Sequence, residues 1–192
     1  VLWDRTRGAI VNNESAEIIR MMNSEFVGIA KDSPDYCPDD LLSEIDEINE
    51  RVFTDINNGV YRNGFATTQE AYEEAFEQLF AALDWAEDKL STGRYLCGDR
   101  LTEADWRLFV TLLRFDPVYV GHFKCNLRRI SDYPCLSNYL RELYQIPGIA
   151  ETCNFRHIKE HYYRSHESIN PTRIVPRGPE INLHHAHDRN RL

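Results

Sequence analysis

Apolar positions recur at helical spacing over most of the chain and at strand spacing only near its start. The densest stretch holds Ala104, Trp106, Leu108, Phe109, Val110, Leu112, Leu113 and Phe115 and leaves no consistently polar face, which predicts a helix wrapped by others. Thr102 and Asp105 stand before it in the Ser/Thr-x-x-acid arrangement of a helix start, and Pro117 is read as its stop. Two long amphipathic helices precede it. One starts at Asp39 or Asp40 and carries Leu41, Leu42, Ile45, Ile48, Val52, Phe53 and Ile56 to about Asn57, where Asn57-Asn58-Gly59 ends it. The other starts at Thr67 or Thr68, carries Ala71, Ala75, Phe76, Leu79, Phe80, Leu83 and Leu90, and ends near Thr92-Gly93. Between them Val60–Phe65 reads as irregular. After Pro117 the pattern predicts a loop over 118–131, a helix from Pro134 to about Tyr144, a short helix over Ile149–Cys153 and a last helix from Phe155 to about Arg164.

The first residues differ. Val1–Asp4, a turn through Arg7-Gly8 and Ala9–Val11 read as a hairpin. Asn12 or Asn13 then caps a helix from Glu14 to about Asn23, with Ile18, Ile19 and Met22 facing inward. Residues 24–38 form a linker broken by Gly28, Ser33, Pro34 and Pro38. From Ser165 onward, prolines and histidines punctuate a tail expected to be disordered, ending in His184-His185-Ala186-His187.

Composition narrows the function classes. A chain of 192 residues, 42% hydrophobic and with net charge −9, has ample material for a core and lacks the basic patch that nucleic acid or an anionic membrane selects for. No apolar run approaches the roughly 20 residues that span a bilayer, and no signal-peptide pattern opens the chain, so the cytoplasm is the expected compartment. The five cysteines, Cys37, Cys97, Cys125, Cys135 and Cys153, follow no metal or redox spacing, and none sits at a predicted helix start. They read as reduced thiols. His157 and His161 are four apart on one predicted helix, but no third ligand has a defined spacing and no metal is expected.

Several motifs together carry a resemblance. Gly98-Asp99-x-Leu101-Thr102-x-Ala104-Asp105 resembles the central-helix signature of the all-α C-terminal domain of glutathione transferases. Arg114–Tyr119, His122–Asn126, Pro147–Thr152, and His161-Tyr162-x-Arg164-Ser165-His166 followed by Ile169-Asn170-Pro171 resemble the glutathionyl-hydroquinone reductases, the xi class of that family. The resemblance implies a mainly α fold, a helical bundle over residues 39–168. It is preceded at 1–24 by the ββα end of a thioredoxin-like glutathione-binding domain, joined by a linker at 25–38 and followed by an extended, partly disordered tail at 169–192. It implies removal of glutathione from glutathionyl-hydroquinones by thiol–disulfide exchange, with glutathione as cosubstrate and a homodimer as the assembly. Glu14 and Ser15 then hold the γ-glutamyl end of glutathione, Ser15 its carboxylate and Glu14 its ammonium. Tyr61, in the loop after the first bundle helix, and Tyr162, on the last helix, direct hydroxyls at the hydroquinone, with Arg7 and Arg20 as possible helpers. On the residues alone, Glu14-Ser15 reads equally as an ordinary acidic helix start, and each tyrosine as a core residue with one satisfied hydroxyl. The Cys-Pro-Trp segment that carries the family's nucleophile is absent from these residues, so the chain by itself is expected to be inactive. Two other functions share the same helices: a non-catalytic interaction module, and a conventional conjugating transferase.

Overall fold

The computed structural model describes residues 1–30 and 34–192, so the predicted linker break at Ser33 lies outside the described residues. Strands β1 (Leu2–Asp4) and β2 (Ala9–Asn12) pair antiparallel and lead into helix α1 (Ser15–Ser24). The rest is helical: α2 (Leu42–Arg51), α3 (Gly59–Gly64), α4 (Gln69–Thr92), α5 (Glu103–Arg114), α6 (Val120–His122), α7 (Pro134–Tyr144) and α8 (Phe155–Ser165). Their apolar faces meet in one core with α5 at its centre, where Leu108 is fully buried and Leu112 nearly so.

The start of α5 is closed by its own sequence. Thr102 and Asp105 form a capping box. Asp105 accepts from the backbone N–H groups of Leu96 (2.9 Å) and Thr102 (2.8 Å) and from the hydroxyls of Thr102 (3.1 Å) and Tyr139 (2.8 Å). Burial pushes its pKa up, and the four donors pull against that shift. Helix α4 is likewise capped as its sequence predicts, Thr68 accepting from the Ala71 N–H at 3.2 Å.

Two predicted breaks are absent, for related reasons. The chain does not leave the helical path at Asn57-Asn58-Gly59, and Val60–Phe65 is not irregular. Residues Val52–Asn57 widen into a π-helical segment and α3 follows. Asn57 is bonded sideways, donating to Arg107 O (3.1 Å) and accepting from the Thr111 hydroxyl (2.7 Å), while Asn63 donates to Phe123 O (2.6 Å). Polar residues that read as breakers tie neighbouring helices together. Nor does Pro117 stop the helix: α5 ends at Arg114, and Phe115–Tyr119 make a second π segment that carries the chain into α6. A wider turn tolerates the N–H that proline lacks. The predicted 118–131 loop therefore begins only after His122, and its end is held by Asp116, which accepts from the N–H groups of Ile130 (2.6 Å) and Ser131 (3.1 Å).

Helix α1 departs from its expected packing. Glu14, not Asn12 or Asn13, stands at its N-cap without a side-chain cap bond, and Asn12 instead accepts from the Glu14 N–H at 2.6 Å. Ile19 and Met22 are exposed, and α1 contributes no fully buried residue. It is held by Arg20, which bridges to Asp46 of α2 and to the buried Glu103 of α5 (2.9 Å), while Asn23 accepts from the Tyr36 N–H at 2.9 Å.

The tail is extended as read but not loose. Lys159 donates to Arg177 O (2.8 Å) and Gly178 O (2.9 Å), and Gln145 to Leu183 O (2.7 Å) and His185 O (2.8 Å). Arg189 is fully buried and donates to Leu90 O and Gly93 O, both at 2.6 Å, closing the C-terminal end of α4. Composition missed this because the anchors are backbone carbonyls and one arginine, which leave no periodic signal.

Candidate active site

Tyr61 and Tyr162, 101 residues apart, meet with their hydroxyl oxygens at 2.5 Å. Tyr61 lies on α3 rather than in a loop, directly after the first π segment, and Tyr162 faces it from α8. A third phenol completes the group: Tyr119, at the end of the second π segment, places its hydroxyl 2.9 Å from that of Tyr162. The pattern of residues did contain a sign of it. Phe115, Tyr119 and Phe123 recur every four residues straight across Pro117, the spacing of one helix face, and all three are buried.

The order of these hydroxyls fixes which proton is free. Three hydroxyls in a row carry three protons, and two are needed for the contacts between them. Tyr119 is 2% exposed and has no other hydroxyl partner among the described residues, whereas Tyr61 is only half-buried. Satisfying Tyr119 makes it donate to Tyr162 and Tyr162 to Tyr61, so the Tyr61 proton points outward. Burial pushes Tyr162 up to about 12 and Tyr119 well beyond the usual phenol range, so both stay protonated near neutrality.

An aromatic frame surrounds the three phenols. Phe123 stacks on Tyr119 (8° between planes, 5.5 Å between centroids) and lies 5.3 Å from Tyr61 and 5.9 Å from Tyr162. It fits because residue 64 is glycine: a Cβ there would stand 2.2 Å from the Phe123 ring. Phe65 extends the frame to the surface.

Glu14 and Ser15 are exposed at the start of α1 and are not part of this cluster. Beside them, between α1 and α2, lies a groove of about 320 Å³ lined by residues including Ala16, Glu17, Arg20, Asp46, Asn49 and Phe53. Arg20 is committed to Asp46 and Glu103, and Arg7 pairs with Asp4 in the hairpin turn at 3.6 Å.

None of the cysteines for which a shift is resolved is activated. Burial pushes Cys37, Cys97, Cys125 and Cys135 above the usual thiol range. Cys135 corrects one expectation, since it is the second residue of α7 and so stands at a helix start. That start is already occupied by Glu87 of α4, which accepts from the N–H groups of Cys135 (2.8 Å) and Leu136 (2.7 Å), and its charge adds to the rise. Among the described residues no group of three His, Cys, Asp or Glu side chains is placed to hold a metal ion.

A helical core behind a ββα unit, with phenols gathered between α3, α5–α6 and α8, defines the class. Residues 69–142 match the glutathione S-transferase C-terminal domain. Glutathionyl-hydroquinone reductase PcpF of Sphingobium chlorophenolicum is 59% identical over 179 residues, 93% of this chain and 57% of that protein. Glutathionyl-hydroquinone reductase YqjG of Escherichia coli is 54% identical over 98% of this chain and 58% of its own length. Its glutathione-bound structure superposes with a TM-score of 0.96 over 99% of this chain and 62% of that one. A xi-class transferase from Natrialba magadii gives a TM-score of 0.97 at 50% identity, over 99% of this chain and 58% of its own. The chain belongs to the xi-class glutathione transferases, the family of the glutathionyl-hydroquinone reductases. It spans about three-fifths of the length of these relatives.

Proposed function

We propose that these 192 residues form the hydroquinone-binding part of a glutathionyl-hydroquinone reductase, which uses glutathione to strip glutathione from glutathionyl-hydroquinones. The observation that carries this is the convergence of Tyr61, Tyr162 and Tyr119 with one proton left facing outward. An interaction module has no use for three coupled phenols, and a conjugating transferase needs no donor aimed at a departing ring.

In this reading a thiolate on a segment outside these residues attacks the glutathione sulfur. The sulfur–sulfur bond forms as the carbon–sulfur bond breaks, its electron pair passes to the ring, and the ring takes up one proton. A second glutathione then resolves the mixed disulfide, so two thiols are oxidised and the ring is released reduced. Negative charge spreads onto the ring oxygens as the bond breaks, and Tyr61, backed by Tyr162 and Tyr119, donates to one of them. Glu14 and Ser15 receive the γ-glutamyl end of glutathione; their exposure at an α1 start without a side-chain cap supports this, because free N–H groups at a helix start attract a carboxylate. The exposed apolar stripe of Trp3, Ile10, Val11 and Met22 supports the presence of further thioredoxin-like structure against the ββα unit in the working protein. The assembly is proposed to be a homodimer formed through the helical domain, tested by the mass in light scattering at tens of micromolar.

The decisive assay follows glutathione release from a glutathionyl-hydroquinone. The chain alone should not exceed the uncatalysed thiol reaction; joined to the preceding segment of the Sphingobium relative it should turn over. There Tyr61→Phe should lower turnover by roughly 10- to 100-fold with glutathione affinity nearly unchanged. Turnover by the chain alone that vanishes on replacing one of its own cysteines moves the nucleophile into this chain. Full activity in the Tyr61→Phe/Tyr162→Phe double variant reduces both to core residues.

A further inference from the structure

Two imidazoles stand behind the phenols. His122, at the end of α6, is buried, and its Nε2 lies 3.1 Å from Nδ1 of His166, the residue that closes α8. The His166 ring lies nearly parallel to Phe123 (15°, 5.8 Å) and edge-on to Tyr162 (5.6 Å). Tyr119, Phe123 and His166 are thus successive plates of one stack, and His122 holds the outermost plate by a hydrogen bond.

The seating of α8 depends on few groups. Only Ile158 and Tyr162 of this helix are buried, so its C-terminal half is located by the Tyr162 hydroxyl contacts and, one turn on, by His166. We propose that His122 and His166 are a positioning pair: their hydrogen bond ties α6 to the end of α8, sets the reach of Tyr162 to Tyr61 and Tyr119, and is released in acid. The consequence for turnover rests on the proposed role of the phenols; the pair itself does not.

The acid release follows from proton counting. A neutral imidazole has one N–H and one lone pair, so two neutral rings, or one neutral and one charged, can share the bond, whereas two imidazoliums present N–H to N–H. The groups facing the pair oppose a second charge: Lys124 beside His122, and His161 from α8, with Tyr119, Tyr162 and Tyr163 as the remaining titratable neighbours. Burial first, then these charges, hold His122 down to about 4 and His166 below its ordinary value, so the bond stands at neutral pH.

The alternative is a pair of rings that merely fill space. His166→Phe separates the two, keeping a flat ring in the stack and removing the nitrogen, with His161→Phe as control. In the 192-residue chain carrying tyrosine labelled with carbon-13 at Cζ, the resonance of Tyr162 reports how fast its hydroxyl proton exchanges with water. At pH 7 exchange should be roughly tenfold faster in His166→Phe, the effect of one hydrogen bond of ordinary strength, and within about twofold of wild type in His161→Phe. The tenfold ratio between His166→Phe and wild type should shrink toward one as the pH falls to about 4. Unchanged exchange in a folded His166→Phe overturns the proposal. Should that variant not fold, a wild-type exchange rate matching the ordinary pH dependence of an unassisted buried phenol down to pH 4 overturns it equally.

Discussion

Asp105 is fully buried and accepts four hydrogen bonds from three different parts of the chain. Asp105→Ala leaves those donors facing apolar surroundings and should cost about 3 kcal/mol, against about 1 kcal/mol for Thr102→Ala, which removes one donor. Urea unfolding at pH 7 checks both, and equal small effects would mean that the box caps α5 without joining it to Leu96 and Tyr139. His122 sets a pH term of the opposite kind. Its pKa falls from an ordinary 6.5 to about 4 on folding, so between those values the unfolded chain binds the extra proton. Its contribution is complete above about pH 6.5 and is lost as the pH drops toward 4, by up to about 3 kcal/mol over that window. Carboxylates titrate in the same range, so the useful quantity is the difference in slope between wild type and His122→Asn, which should be flatter.

At the scale of elements, the two π segments decide where the site is. Tyr61 follows one and Tyr119 ends the other, and the extra residue in each turn rotates what comes after it toward α8. Capping and periodicity made α4, α5, α7 and α8 legible in the sequence, because a helix that buries one face must repeat near 3.6. A π turn gives no such repeat; Asn57-Asn58-Gly59 and Pro117 therefore read as stops, and α3, α6 and Tyr119 were lost with them. Tyr61 and Tyr162 were paired through family resemblance, since nothing in local spacing relates residues 101 apart. Gly64 shows how closely α3 and Phe123 meet. Gly64→Ala should force Phe123 from its stack at a cost of about 1–3 kcal/mol, despite the better helix propensity of alanine. Thermal unfolding and the near-ultraviolet aromatic signal should change together; an unaltered aromatic signal would mean that the ring moves aside freely.

Across the whole molecule, the tail completes the bundle instead of trailing from it. Arg189 supplies donors to the last carbonyls of α4 and lies 3.7 Å from Glu142 of α7, so one side chain joins two helices. Arg189→Ala leaves buried carbonyls and the Glu142 carboxylate without that partner and should cost about 3 kcal/mol. Limited proteolysis should then open the segment around Leu183 before any helix is cut; resistance equal to wild type would show the tail is held mainly by its backbone contacts to Gln145 and Lys159. The position of this residue also bears on how the protein is made. A ribosome releases a chain from its beginning, so the end of α4 emerges long before the guanidinium that closes it. Every α-helix is in place while that one partner is still being synthesised, and the nascent chain waits with its α4 terminus open to water or to a chaperone until the last residues are free.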